Sequence, residues 1–491
     1  MTAHSGEDAI QQAPGATARR FASRGHPLLG RVLANTGVML GGRIGNAVLS
    51  LSYLAVAARA LDVRSVGVLV LINAFAQLVG EVVKFNSWQT VLHYGADALE
   101  RGDTPGFQQV VRFTLFLDVL SSFGGIAIAI AAALIFGAQL GWTSADSPAA
   151  AFYCLSIALM VPATPIGLLR LFNRFDFMTA QAPIQSGVRL AGSLAAWALA
   201  PSLTAFLLIW AAGTAIAFLY LAWVSLREMR RRGLTTGFRL AGPMTRGLPG
   251  AWRFAWATNA ASSLDVAFTH AITLVVGALV GPAPAALWRI GRQVADALGK
   301  PAKLLVPALY PELARLRVTE GERAMRKLAL QVGVLGGGVG TVLLVATAVA
   351  GRPLLTLVMG PAFADAAGVM VWQVAAAVIG IWALPLEPML VSLGRPGDAV
   401  KVRIVVAAAL LAALPWLVKA FGPTGAGAGL VVAMAALAIG MFFMLQRRKG
   451  PAPDASCPLA APLAAMSIAD EIEIEKMACV TAPVRAKGGP Q

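Results

Sequence analysis

The stretch AALWRIGRQVADALGKPAKLLVPALYPEL, residues 285–313, decides what kind of chain this is. It is apolar enough to enter a membrane, yet it carries Arg289, Arg292, Asp296, Lys300 and Lys303 at steps of 3, 4, 4 and 3. At 3.6 residues per turn these five fall within an arc of roughly 80° on one helix face. A charge at the bilayer centre costs about 2.5–3.5 kcal/mol on insertion scales, so such a face must meet protein or water. Four cations to one anion on that face point to a path for something anionic.

The surrounding chain supports the membrane reading. Of 491 residues 57% are hydrophobic and only 13% charged, and the mean hydropathy is +0.71. Soluble domains carry about 25% charged residues. Apolar segments recur at 33–58, 67–92, 110–137, 149–171, 180–202, 204–226, 253–280, 285–311, 328–350, 367–391, 399–420 and 424–445. Each is long enough for a spanning helix. The expected fold is therefore all-α and polytopic, with about twelve transmembrane helices in two pseudo-symmetric six-helix bundles around a central cleft.

The net charge of +16 resides in short loops between these segments, which argues for a positive-inside membrane protein and against a nucleic-acid partner. Alternate loops hold the arginines, with REMRRRG at 227–233 the densest run, while the opposite side has only Arg59, Arg64, Arg352 and Lys419. This places both termini on the cytoplasmic side. The organisation expected is a tail over 1–32, a first bundle over 33–226, a basic linker over 227–252, a second bundle over 253–448 and a tail over 449–491. The first span is too long for a signal peptide and reads as a retained helix. Cys154, Cys457 and Cys479 are too scattered for a disulfide framework or a metal site, and no cofactor is implied.

A shift of 219 residues lays Asn73 on Arg292, Gln77 on Asp296, Glu81 on Lys300 and Lys84 on Lys303. The two halves thus read as a parallel repeat, the kind that encloses a cavity at its interface and transports by rocking. Span 1 adds Arg43, Asn46 and Ser50 on one face, and span 7 adds Asp265 and His270. The candidate substrate contacts are Arg43, Lys84, Arg289, Arg292, Lys300, Lys303, Asn46, Asn73, Gln77 and Gln293. Asp265, Asp296 and Glu81 are the candidates for coupling to an ion. Structural alternatives stand beside them: Glu81 with Lys84 and Arg292 with Asp296 as local pairs, and Arg189 paired with Asp118 across helices. Pro301 and Pro307 are expected to interrupt span 8.

Four stretches resemble one family. ARALDVRSVGVLVLINAFAQLVG (58–80) is similar to the loop and second span of polysaccharide flippases, with Asp62 in place of the usual glycine and Val66 in place of the usual tyrosine. LLRLFNRFDFMTAQAPIQSGVRL (168–190), LLTLVMGPAFADA (354–366) and LVSLGRPGDA (390–399) resemble its later loops, in the family's order. The family is the Wzx-like, O-antigen and exopolysaccharide branch of the MOP flippase superfamily. The resemblance implies translocation of an undecaprenyl-diphosphate-linked oligosaccharide across a bacterial inner membrane by alternating access, without an enzymatic step. It implies as partners that lipid-linked oligosaccharide, membrane lipids, and the polysaccharide polymerase and export machinery. The alternative within the superfamily is a MATE-type ion-coupled drug exporter, against which the excess of cations on span 8 argues.

Overall fold

A computed structural model describes residues 45–143, 146–160, 162–239, 248–302 and 306–447, with 242, 244 and 245 in the linker. Every regular element among the described residues is helical. That follows from the solvent: in hydrocarbon each backbone N–H and C=O must be satisfied within the chain, and a helix does this segment by segment.

The first half runs through α1 (45–60), α2 (Val63–Val83), α3 (Ser87–Glu100), α4 (Thr104–Phe136), α5 (Ser147–Cys154), α6 (Ala163–Leu171), α7 (Phe175–Leu199) and α8 (Leu203–Arg231). A 3₁₀ segment at Leu155–Leu159 joins α5 toward α6. The second half holds α9 (Ala251–Val280), α10 (Pro282–Ala302), α11 (Val306–Thr319), α12 (Glu322–Met359), α13 (Ala366–Ala383), α14 (Leu386–Ser392) and α15 (Pro396–Gln446). Gly422, at φ 63° and ψ −151°, divides α15 into two helices, a conformation only glycine adopts freely.

Seven helical stretches among the described residues are long and apolar enough to cross a membrane, so the chain is a polytopic membrane protein. The expectation is twelve, and among the described residues seven are found. The last stretch contains both arms of α15, and α10 carries Arg289, Arg292, Asp296 and Lys300 within 21 residues.

In the opening stretch the described residues form two helical segments, α10 and α11, on either side of 303–305. Helix α10 is described to Ala302 and α11 from Val306. The corresponding place in the first half is a break. Helix α2 ends at Val83, Lys84 is extended at φ −62° and ψ 135°, and α3 starts at Ser87. The 219-residue shift carries Val63–Val83 onto Pro282–Ala302 and Ser87–Glu100 onto Val306–Thr319, so the starts at Val63 and Pro282 and the ends at Glu100 and Thr319 coincide. It also carries the start of α5, Ser147, onto the start of α13, Ala366.

The helix starts differ where the repeat does. Asp62 caps α2, accepting from the N–H groups of Arg64 at 3.1 Å and Ser65 at 3.3 Å. Its counterpart Gly281 opens α10 with φ 94° instead. The cap explains an aspartate where the resemblance leads one to expect glycine. A hydrogen bond from the Ser65 side chain, aided by backbone N–H groups, holds the Asp62 carboxyl below its ordinary value against a raising push from burial.

Helices of each half pack mainly among themselves, and α2 forms the seam by packing on both α9 and α10. Two glycines allow the contact. A Cβ on Gly67 would lie 2.0 Å from the carbonyl oxygen of Pro282, and one on Gly277 would lie 2.2 Å from Leu71 Cδ2. Near it, Arg59 of α1 donates through Nε to Val358 O at 2.9 Å and through Nη2 to Leu357 O, capping the last turn of α12. At the far end, an aromatic cluster ties the start of α9 to the first half. His93 stacks on Phe254 at 4.9 Å, Phe85 meets Trp256 at 4.9 Å, and the Tyr94 hydroxyl donates to Pro249 O at 2.9 Å. The basic linker is docked rather than free: Gln108 Nε2 donates to Leu234 O and Thr236 O, each at 2.9 Å, and Arg112 Nε to Arg239 O at 2.8 Å.

Candidate functional site

Helix α10 divides cleanly into two faces. One is buried on α13: Gln373 Nε2 donates to Trp288 O at 3.1 Å, and a Cβ on Gly291 would stand 2.6 Å from Gln373 Oε1. Away from it, Arg289, Arg292, Gln293 and Asp296 are only partly buried. Arg292 Nε lies 3.1 Å from Asp296 Oδ1, but its N–H is not aimed to donate a hydrogen bond. The two side chains are 28% and 24% exposed, so the pair is neither dry nor fully screened. Arg289 has no ion pair among the described residues. His270, on α9 across the turn at Gly281, lies within electrostatic reach of Arg289, Arg292 and Asp296. Among the described side chains, this helical hairpin gathers two guanidinium groups, an imidazole and one carboxylate beside the seam with α2. Such a cluster holds an anion well and an organic cation poorly.

The α2 candidates go elsewhere. Asn73 is buried and accepts from the Tyr153 hydroxyl at 2.8 Å, which turns it into the first half rather than toward α10. Gln77 is half-buried one turn further on. Glu81 and Lys84 form the local pair at 2.5 Å, with Lys84 at the helix end. Asn46 accepts from Ser186 Oγ at 2.8 Å, and Ser186 lies 3.2 Å from Ser50 Oγ, joining α1 to α7. Arg43 and Lys303 lie outside the described residues. Asp265 and Lys300 lie on α9 and α10, but their side chains are outside the description.

Arg189 does not pair with Asp118. Asp118 is buried and accepts from Ser87 Oγ and from the Thr164 N–H at 2.8 Å, so it joins α4 to α3 and α6. Arg189, only 7% exposed, donates to Thr214 Oγ1 at 3.1 Å and to Trp210 O at 3.3 Å. Its guanidinium sits 5.0 Å from the Trp210 ring centre and 5.7 Å from that of Tyr53. Aromatic faces thus take the place of a carboxylate. The charge was visible in sequence, but nothing in the local pattern named its aromatic partners. Arg189→Lys is expected to lower stability by about 1–2 kcal/mol, because an ammonium cannot stack and fork at once. Thermal unfolding of the detergent-solubilised chain, followed by tryptophan fluorescence, measures it.

No family model matches the sequence. The chain is 33% identical over 338 residues to the inner membrane protein YghQ of Escherichia coli (strain K12), a match that spans 68% of this chain and 94% of that protein. The chain belongs to the YghQ family. Solved structures place the fold of this YghQ relative. It is similar to the lipid II flippase MurJ in an inward closed conformation, with a TM-score of 0.62 at 10% identity over 84% of this chain and 87% of that one. It is similar also to an inward-facing MATE-family multidrug resistance transporter of the MOP superfamily, with a TM-score of 0.56 at 12% identity over 83% and 93% of the two chains. A variant of the Vibrio cholerae MATE transporter VcmN gives 0.54 at 13% identity over 85% and 98%. The fold is thus similar to that of MurJ and of MATE-family transporters.

Proposed function

We propose that this protein is a flippase that carries an undecaprenyl-diphosphate-linked oligosaccharide from the cytoplasmic to the outer leaflet of a bacterial inner membrane. The observation that carries the reading is the charge balance on α10. Arg289 and Arg292 stand beside the seam with Asp296 as the carboxylate near them, and His270 lies close by. A diphosphate takes two guanidinium groups through charge-assisted hydrogen bonds, which a partly dry site strengthens.

In this reading twelve spans form two six-helix bundles, both termini are cytoplasmic, and the halves rock about the seam of α2 with α9 and α10. Arg43, Lys300 and Lys303 extend the cationic path, and Gln77 and Gln293 offer hydrogen bonds to sugar hydroxyls. The lipid tail stays in the bilayer. Asp296, Asp265 and Glu81 are the candidates for tying the cycle to a gradient. The polymerase and export machinery would receive the product.

The test is a deletion strain. Loss of this protein should abolish surface polymer and leave lipid-linked oligosaccharide accumulating in the inner leaflet, measured by extraction and mass spectrometry. Unchanged polymer with no accumulated intermediate would refute the reading.

A further inference from the structure

We propose that the chain carries an anionic-lipid site at the end of the bundle away from the basic linker, where a lipid phosphate bridges Arg59 of α1 and Arg352 of α12. The proposal does not depend on the flippase reading. An open depression of about 690 Å³ lies between the halves, lined by Arg59, Arg352, Pro353, Thr356 and Leu357. Cations are scarce at this end: the sequence places only Arg59, Arg64, Arg352 and Lys419 there. Two of them, from opposite halves of the repeat, line one groove.

The guanidinium groups are suited to an anion. Nε and Nη2 of Arg59 are held by carbonyl oxygens of α12, which fix it in place, and its third nitrogen has no protein partner among the described residues. The competitor for Arg352 is Asp365, whose Oδ1 is 3.9 Å away with both side chains largely exposed, at 74% and 84%. A pair that long and that wet contributes little. A phosphate offers both arginines a stronger partner.

The α12 surface running away from the depression points to a lipid rather than a free anion. Val342, Val345, Val349, Arg352 and Thr356 recur at steps of 3, 4, 3 and 4, an arc of roughly 80° on α12. Val342, Val345 and Val349 are 69%, 58% and 77% exposed, a continuous apolar track leading to the cationic end. Fifteen residues of helix, Val342 to Thr356, make that track and its headgroup end about 20 Å long, the reach of an acyl chain with its phosphate. A ligand with a phosphate head and an apolar chain fits both ends at once.

Native mass spectrometry of the purified full chain, titrated with phosphatidic acid or phosphatidylcholine, tests this. Phosphatidic acid should bind with preference, and Arg59→Gln with Arg352→Gln should weaken it by about tenfold or more, whereas Arg64→Gln with Lys419→Gln should not. Val345→Ser with Val349→Ser should weaken it as well. Should the double glutamine variant fail to fold, Arg352→Gln alone, at an exposed position, makes the same comparison. Phosphatidic acid binding that survives the glutamine variants overturns the site. Equal displacement by water-soluble glycerol 3-phosphate overturns the lipid assignment in favour of a free-anion site.

Discussion

Replacing Arg289 and Arg292 together by alanine should abolish surface-polymer export in a deletion strain, with the variant present in the membrane at wild-type level. Hydrogen bonds to charged groups are worth about 1.5–3 kcal/mol each, which is roughly tenfold to a hundredfold per arginine in cargo affinity. The single variants should differ. Arg289 has no ion pair among the described residues, so its removal takes charge directly from the cargo. Removing Arg292 also takes a guanidinium from beside Asp296, 3.1 Å away in the native chain. Adding Asp296→Asn to Arg292→Ala should therefore recover part of the export that Arg292→Ala loses. Polymer titre across the four variants measures this. No recovery would mean that Asp296 does not oppose the cargo.

A side chain at Gly67 should be nearly as damaging, for a steric reason. The Cβ would stand 2.0 Å from a backbone carbonyl oxygen, so nothing can rotate away and α2 must separate from Pro282. Overpacking of this kind costs about 1–3 kcal/mol for one methyl group, and leucine adds more bulk at the same point. The closed seam then loses population, and export falls steeply in Gly67→Leu. Gly277→Ala should be milder, because its contact at 2.2 Å is the tip of the Leu71 side chain, which can change rotamer. The seam itself can be read with Leu71→Cys in a chain lacking its native cysteines. Leu71 is fully buried, so a membrane-impermeant maleimide should label it slowly in the parent and faster in Gly67→Leu. Equal labelling would show that the seam does not open.

Much of this architecture was written in periodicity and charge. The cationic face of α10 follows from spacing alone, because like charges in hydrocarbon must share one wet side. The repeat register followed from polar residues, and the helix bounds meet it at Val63 and Pro282. The break after α2 was hidden, since Lys84, Phe85 and Asn86 contain neither glycine nor proline and apolar residues continue beyond them. Helical spacing also states which residues share a face but not which neighbour that face meets. Asn73 shares a stripe with Gln77 and Lys84, yet its partner is Tyr153, 80 residues away. Arg189 is the same case: a buried cation predicts a partner, and two aromatic rings served where a carboxylate was expected. Long-range packing decides both, and no local pattern encodes it.

The most direct measurement is translocation itself. The purified chain in proteoliposomes is supplied with an undecaprenyl-diphosphate-linked oligosaccharide in one leaflet, and its arrival in the other is read by a glycan-modifying enzyme that cannot cross. The wild-type chain should move it, and the chain with both Arg289→Ala and Arg292→Ala should move it no faster than empty vesicles. Equal rates for the two chains, or no rate above empty vesicles for either, would contradict a cationic path for a lipid diphosphate.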